Sequence, residues 1–106
     1  MLSWMDSLKG RSLMRLTSFS DEEMLNLIDL AAQLKARRSS GVRGDLLRRR
    51  NIALIFEKSS TRTRNSTLVA VRDEGGNGEY LTRPDIHFGK KESVKDTARV
   101  LGRIYD

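Results

Sequence analysis

The chain has 106 residues, 38% of them hydrophobic and 32% charged, which excludes a membranous or plainly disordered chain and allows one domain or part of one. The absence of cysteine excludes disulfides, thiolate catalysis and cysteine-based zinc sites, and a single histidine without a carboxylate cluster argues against a histidine-based metal site. The net charge of +6 suits an anionic partner, but aromatic residues are 6% and none interleaves the basic residues, so we expect an anionic metabolite and no nucleic acid.

No stretch of the sequence is apolar for long enough to cross a membrane, and the first residues lack the core and cleavage site of a signal peptide. We therefore expect a cytoplasmic protein without a membrane partner. The apolar residues Leu2, Trp4 and Met5 are interpreted as a docking or disordered tip.

The first predicted helix spans roughly Asp21 to Arg38. Ser20 and Glu23 have the spacing of a capping box, in which each residue satisfies a backbone N–H group of the other. The polar segment from Arg38 to Gly44 is predicted to be a turn or loop. An apolar stripe at helical spacing predicts a core or interface face on this helix, formed by Met24, Leu27, Ile28, Ala31 and Leu34.

An unbroken apolar run, Ile52 to Phe56, ends abruptly in hydroxyl and guanidinium groups. Such a run predicts a strand buried on both faces, typical of a parallel sheet covered by helices. The segment SSTRTR at 59–64 is predicted to open a helix whose unpaired backbone N–H groups point at the carboxyl end of that strand. Open α/β sheets bind ligands in the crevice beyond the carboxyl ends of their strands, so a ligand site is expected at this junction.

The residues at this junction suit a phosphate group. Ser60, Thr61 and Thr63 carry hydroxyls that donate to phosphate oxygens, and Arg62 carries a planar fork that matches two of them. A second interpretation stays equally open from the residues alone, in which the hydroxyls only cap the helix and the arginines are solvated. Arg64 is expected to brace the junction by pairing with an acidic neighbour.

The helix after the junction is predicted to run to about Asp73 and to end at Gly75 and Gly76, which tolerate left-handed backbone geometry. A second short strand is predicted at residues 80–82. A strand, helix and strand in succession form a crossover unit with parallel pairing, so both strands end at the same edge of the sheet. The loop 84–91 is therefore expected at the edge where Ser60 and Thr63 lie.

The last predicted helix begins at Ser93, which has Asp96 at capping distance. Its basic stripe of Lys95, Arg99 and Arg103 is interpreted as a solvated face. Its predicted apolar face contains Val94, Ala98, Leu101 and Tyr105.

The predicted order of helix, strand, helix, strand and helix indicates the α/β class, with an incomplete parallel sheet between helices in an α/β/α arrangement. Two parallel strands leave both outer edges unpaired and apolar faces uncovered. The isolated chain is therefore expected to be marginally stable, and either to associate or to be a piece of a longer chain.

Three segments carry a family resemblance: FEKSSTRTR, DEGG and GKKESVKDTARVLGRIYD. From about Leu8 to Asp106 the chain resembles the aspartate/ornithine carbamoyltransferase family, and the segment KESVKDTARVLGR favours its ornithine branch. The resemblance implies that residues 1–106 form the amino-terminal part of a carbamoyl-phosphate-binding domain, with the amine-binding domain absent. It also implies a homotrimer, no metal or organic cofactor, and a role in arginine metabolism.

The activity implied is transfer of the carbamoyl group of carbamoyl phosphate to the side-chain amine of ornithine, giving citrulline and phosphate. By resemblance, Ser60, Thr61, Arg62 and Thr63 bind the phosphate of carbamoyl phosphate. His87 stands where the ornithine branch usually has a glutamine that contacts the substrate.

Members of this family run to about 300 residues, the length of two domains, so the chain is expected to lack turnover by itself, and no catalytic residue is predicted. Two alternatives stay open. The chain is either part of a carbamoyltransferase for another amine, or a non-enzymatic oligomer-forming or regulatory remnant of the fold.

Overall fold

The structure is a computed structural model that describes residues 3–58, 60–82 and 93–106. Its main elements are α1 (Asp21–Ser39), β1 (Asn51–Ile55), α2 (Thr61–Asp73), β2 (Asn77–Leu81) and α3 (Val94–Ile104). This order confirms the predicted α/β class. The chain divides into two compact units, Met1–Val42 and Arg43–Asp106, within the loop predicted after α1.

The first unit contains α1 and two short 3₁₀ helices, Ser3–Leu8 and Leu16–Ser18, which the sequence did not predict. The predicted capping box is confirmed, because Glu23 N donates to Ser20 Oγ at 3.1 Å and Ser20 N donates to Glu23 Oε1 at 2.9 Å. Arg11 adds a third contact, with Nη1 at 2.7 Å from Glu23 Oε2 and the guanidinium 4.4 Å from the Phe19 ring centroid. Together these contacts fix the start of α1.

The face predicted for α1 as core or interface is covered only in part within the chain. Ile28 is 62% exposed and Ala31 is also exposed, whereas Leu30, which lay outside the predicted stripe, is half-buried. The apolar residues of α1 occupy more than one side of the helix, since Leu25 is exposed as well, so spacing alone did not select the covered side. The half-buried apolar residues of α1 are Met24, Leu27, Leu30 and Leu34.

The second unit is built on a two-stranded sheet in which β1 and β2 pair in parallel, as predicted. The register joins Asn51 to Asn77 and Ile55 to Leu81, so the two strands end together. Strand β2 begins three residues earlier than predicted and does not include Thr82. The error arose because Asn77 and Gly78 are weak strand formers, and it is the pairing with β1 that holds them extended.

The prediction that β1 is buried on both faces is wrong. Only Leu54 in this strand is buried, at 5% exposure, and Ile55 is 39% exposed. A strand is buried on both faces only where a layer covers each side. Of the apolar side chains that the structure describes, Leu54 and Val71 are the ones classed as buried.

Helix α2 packs against β2 through Val71 and Leu68. A Cβ atom placed on Gly78 would lie 2.7 Å from Leu68 Cδ2, so glycine at this position allows the helix to approach the strand closely. The helix ends at Asp73, and Gly75 has a φ of +82°, which confirms the predicted left-handed turn.

Helix α3 begins as predicted, with Asp96 N donating to Ser93 Oγ at 3.1 Å. Its predicted apolar face is wrong in part, because Val94 is 60% exposed, Ala98 is exposed and the buried residue is Thr97. The covered residues at this end of the chain are Thr97, Leu101 and Tyr105, at spacings of four. The predicted solvated stripe of Lys95, Arg99 and Arg103 is exposed.

After α3 the chain returns to the start of β1. Asp106 N donates to Asn51 O at 2.8 Å, and Asn51 N donates to Asp106 Oδ2 at 2.9 Å. Along the described ranges, no helix has both the length and the apolar character needed to span a membrane.

Candidate functional site

The predicted phosphate-binding residues lie at the amino terminus of α2, directly beyond the carboxyl end of β1. Ser60 is the N-cap residue in extended geometry, and Thr61, Arg62 and Thr63 form the first turn. The side chains of this first turn are exposed and Ser60 is half-buried. The helix therefore presents its unpaired backbone N–H groups and all four side chains at one end of the sheet.

The N-cap serine of α2 differs from those of α1 and α3. Ser20 and Ser93 each accept a hydrogen bond from a backbone N–H of their own helix, whereas the Ser60 side chain makes no such bond. An uncapped first turn leaves backbone donors without an intrahelical partner. The Ser60 hydroxyl and these donors are therefore available to a ligand.

The charge at this helix start is also opposite to that of the others. The first turn of α1 contains Asp21, Glu22 and Glu23, and that of α3 contains Asp96, whereas α2 has no acidic residue there and carries Arg62. A cation at a helix amino terminus is electrostatically unfavourable by itself, because that end of the helix dipole is positive. A bound anion is attracted by both the Arg62 guanidinium and the helix end, and so offsets the repulsion between them.

Two arginines at the start of α2 have different surroundings. Arg62 is exposed, and it makes no hydrogen bond or ion pair with the residues that the structure describes. Arg64 is half-buried, and its guanidinium carbon lies 4.5 Å from the centroid of the Tyr80 ring. Residues two apart on a helix point to different sides, so the geometry separates a solvent-facing arginine from a sheet-facing one.

The expectation that Arg64 pairs with an acidic residue is wrong, because its partner is an aromatic ring. The Tyr80 ring also contacts Phe56, with 5.8 Å between ring centroids and an interplanar angle of 61°, an edge-on arrangement. Arg64, Leu68 and Val71 recur at spacings of four and three and so form the side of α2 that faces the sheet. Arg64 thus occupies a position in an otherwise apolar stripe.

Sequence reasoning missed Tyr80 and Phe56 as residues of this region. The signal that was available is the Arg-Thr-Arg spacing, since two arginines two positions apart cannot both face one ligand. The aromatic partner of the inward arginine depends on the register between β1 and β2, and the sequence does not specify that register.

His87 and the predicted loop 84–91 that carries it lie outside the residues that the structure describes, so the contact of His87 with the substrate stays a prediction. A cavity of about 350 Å³ lies at the opposite edge of the sheet, at the amino ends of both strands, and none of Ser60, Thr61, Arg62 and Thr63 lines it. Its walls are Asn51, Asn77, Gly78, Glu79, Ile104 and Tyr105. Among the described residues there is no group of three histidine or carboxylate side chains placed to hold a metal ion.

Residues 11–106 match the family described as aspartate/ornithine carbamoyltransferase, carbamoyl-P binding domain. The chain belongs to this family. The match contains β1, α2, β2 and α3, and therefore the helix start at Ser60. The resemblance inferred from the segments around Phe56, Asp73 and Gly89 is confirmed.

Individual relatives agree with the family match. The catabolic ornithine carbamoyltransferase of Bacillus cereus is 51% identical over 106 residues, which is all of this chain and 32% of that protein. The solved ornithine carbamoyltransferase of Pyrococcus furiosus is 38% identical and superposes with a TM-score of 0.86, over 93% of this chain and 32% of that one.

The aspartate branch of the family is similar in fold at lower identity. The aspartate transcarbamoylase of Trypanosoma cruzi, solved in complex with carbamoyl aspartate and phosphate, is 33% identical with a TM-score of 0.82, over 94% of this chain and 32% of that one. The chain spans about a third of the length of the carbamoyltransferases that it matches.

Proposed function

We propose that this chain is the carbamoyl-phosphate-binding portion of an ornithine carbamoyltransferase and that Ser60, Thr61, Arg62 and Thr63 bind the phosphate group. The observation that carries the proposal is the start of α2, which has no side-chain cap and no acidic residue and presents Arg62 at the carboxyl end of β1. The family match to a carbamoyl-P binding domain supports carbamoyl phosphate as the anion.

Ornithine is proposed as the acceptor because the catabolic ornithine carbamoyltransferases of Bacillus cereus and Staphylococcus aureus are 51% and 50% identical to this chain. The uncharged side-chain amine of ornithine attacks the carbamoyl carbon and a tetrahedral oxyanion forms. The C–O bond then breaks, and the departing phosphate takes up the proton that the amine nitrogen loses, which leaves citrulline. Negative charge grows on the phosphate as the C–O bond breaks, and Arg62 offsets it. Positioning of the two reactants supplies much of the remaining rate enhancement.

The chain by itself is proposed to bind carbamoyl phosphate without turnover, because it spans about a third of its relatives' length. We also propose, on the family resemblance alone, a contact from His87 to the substrate, a homotrimeric assembly and a cytoplasmic role in arginine metabolism. No residue of this sequence is proposed to bind the amine.

Calorimetric titration of the chain with carbamoyl phosphate, and separately with inorganic phosphate, tests the proposal. We expect Arg62→Gln to weaken binding roughly ten- to a hundredfold, as is usual when a charge-assisted hydrogen bond is lost. Arg103→Gln is the matched control, since it also removes one exposed arginine but lies at the end of α3, whose last residues line the cavity at the opposite edge of the sheet.

Equal affinities for the unmodified chain and for Arg62→Gln would contradict the assignment of the phosphate site. Binding heat absent from both proteins would instead favour a remnant of the fold that has lost its ligand. An affinity that Arg103→Gln lowers as much as Arg62→Gln would indicate a general effect of net charge.

A further inference from the structure

We propose that Tyr80 is a positioning residue for the phosphate site, because its ring holds Arg64 and Phe56 and thereby fixes the turn between β1 and α2. The inference rests on the proposed function, since it concerns how the phosphate-binding residues are held. Tyr80 itself is not assigned a contact with the ligand.

The positions of the two partners along the chain are the first argument. Phe56 directly follows β1, and Arg64 is the fourth residue of α2, so together they bracket the turn and the phosphate-binding residues Ser60 to Thr63. Both side chains contact the Tyr80 ring, at 5.8 Å between ring centroids and at 4.5 Å from guanidinium carbon to centroid. Tyr80 of β2 therefore contacts the residues on both sides of the phosphate-binding segment.

The second argument is that the backbone N–H groups of the first turn of α2 have no side-chain cap. The side-chain hydrogen bonds that this turn receives go to carbonyl oxygens, from Asn65 Nδ2 to Thr61 O at 2.8 Å and from Ser66 Oγ to Thr63 O at 3.3 Å. Ser60 provides no side-chain cap, whereas α1 and α3 each begin with a serine that does. A cap keeps the first turn of a helix from fraying. In α2 the hydroxyl is left to the ligand, and the stacking of Arg64 on Tyr80 restrains the same turn from its inner side.

The third argument concerns the charge of Arg64. This half-buried guanidinium makes no ion pair or hydrogen bond with the described residues, so the ring face is the partner that the structure gives it. A guanidinium within about 6 Å of an aromatic centroid is attracted by the negative face of the ring. The stack keeps Arg64 against the sheet, and Arg62, two residues earlier, faces solvent where an anion can reach it.

The test is a double-mutant cycle on Tyr80 and Arg64, read as the dissociation constant for inorganic phosphate in calorimetry of the full 106-residue chain. We expect Tyr80→Leu and Arg64→Gln each to weaken phosphate binding about threefold to tenfold. The double variant is expected to bind no more weakly than the weaker single variant, because both changes break the same contact. Tyr80→Phe keeps the ring and is expected to bind within about twofold of the unmodified chain.

The variant Val71→Ala distinguishes a loss of stability from a loss of positioning. It shortens a buried side chain between α2 and the sheet and leaves the contact of Arg64 with Tyr80 in place. This variant is expected to lower the urea midpoint while its folded molecules bind phosphate as the unmodified chain does. If Tyr80→Leu does not fold, Arg64→Gln tests the positioning role by itself. Unchanged phosphate binding by Arg64→Gln overturns the inference.

Other results also count against the positioning role. Losses that simply add in the double variant, or a Tyr80→Phe loss as large as that of Tyr80→Leu, overturn it. Failure of the proposed function is recognised separately, because Arg62→Gln then binds phosphate as the unmodified chain does. A loss in Arg62→Gln with no loss in either stack variant overturns the positioning role alone.

Discussion

Asp106 is held in its charged form by the start of β1. The backbone N–H of Asn51 donates to its carboxylate and lowers its pKa, and the nearby Arg50 guanidinium, 3.3 Å away, lowers it further. The pKa of Glu23 is lowered in the same way, chiefly by the backbone N–H of Ser20 and then by Arg11. Both carboxylates therefore favour the folded chain only while they are ionised.

The sign of the resulting pH dependence follows from these lowered pKa values. A carboxylate with a depressed folded-state pKa adds stability above its ordinary pKa, about 4 for aspartate, and loses it as the pH falls through the lower folded value. We expect Asp106→Asn to lower the urea midpoint at pH 7, and the difference from the unmodified chain to shrink towards pH 3. Asp45→Asn, which removes an exposed carboxylate without such a hydrogen bond among the described residues, is the control. A difference for Asp106→Asn that stays constant with pH contradicts this role.

At the scale of elements, the contact between α2 and β2 depends on the absence of a side chain at Gly78. A Cβ atom there would lie 2.7 Å from Leu68 Cδ2, closer than packed atoms approach, so Leu68 must move if one is added. The contacted methyl is the end of a flexible side chain, so we expect Gly78→Ala to reduce the free energy of unfolding by about 1 kcal/mol, the low end of the usual cost of overpacking. Urea unfolding followed by circular dichroism measures the change.

Gly102→Ala provides the matched control. Gly102 lies inside α3, and a Cβ atom placed on it meets nothing within 4 Å, so the methyl group costs no contact. Alanine also favours the helix over glycine, and we expect a gain of roughly 0.5 to 1 kcal/mol. A Gly78→Ala variant as stable as Gly102→Ala would show that Leu68 relaxes freely and that the close approach is not required.

At the scale of the whole molecule, the buried apolar core formed by the described residues is small. Leu54 and Val71 are the described apolar residues that are buried, and the sheet in the described ranges has two strands. Small parallel sheets need further strands or covering layers for independent stability. We therefore expect the 106-residue chain to unfold with a free energy below about 5 kcal/mol and to associate as its concentration rises.

Size-exclusion chromatography with light scattering over a range of concentrations, combined with urea unfolding, measures both properties. The exposed apolar residues of the described chain are the surfaces through which association is expected. A monodisperse monomer at every concentration, with a sharp cooperative transition at high urea, contradicts the expectation.

Local sequence signals determined where α1, α2 and α3 begin and where α2 ends. Ser20 with Glu23, Ser93 with Asp96, and Gly75 after α2 predict these boundaries correctly, because capping and left-handed turns depend on residues a few positions apart. The change from an apolar run to hydroxyl and guanidinium groups likewise located the helix start at Ser60 beyond β1. The distinctive segments also identified the family, which the match over residues 11–106 confirms.

The tertiary structure alone decided which sides of these elements are covered and which side chains meet. Periodicity did not distinguish the exposed Ile28 and Val94 from residues facing a neighbour, since apolar character on a helix does not say where the covering surface lies. The contact of Arg64 with Tyr80 needs the parallel register of β1 and β2 and the packing of α2 across them. Those contacts join residues distant in sequence, and their geometry is set by packing rather than by local propensity.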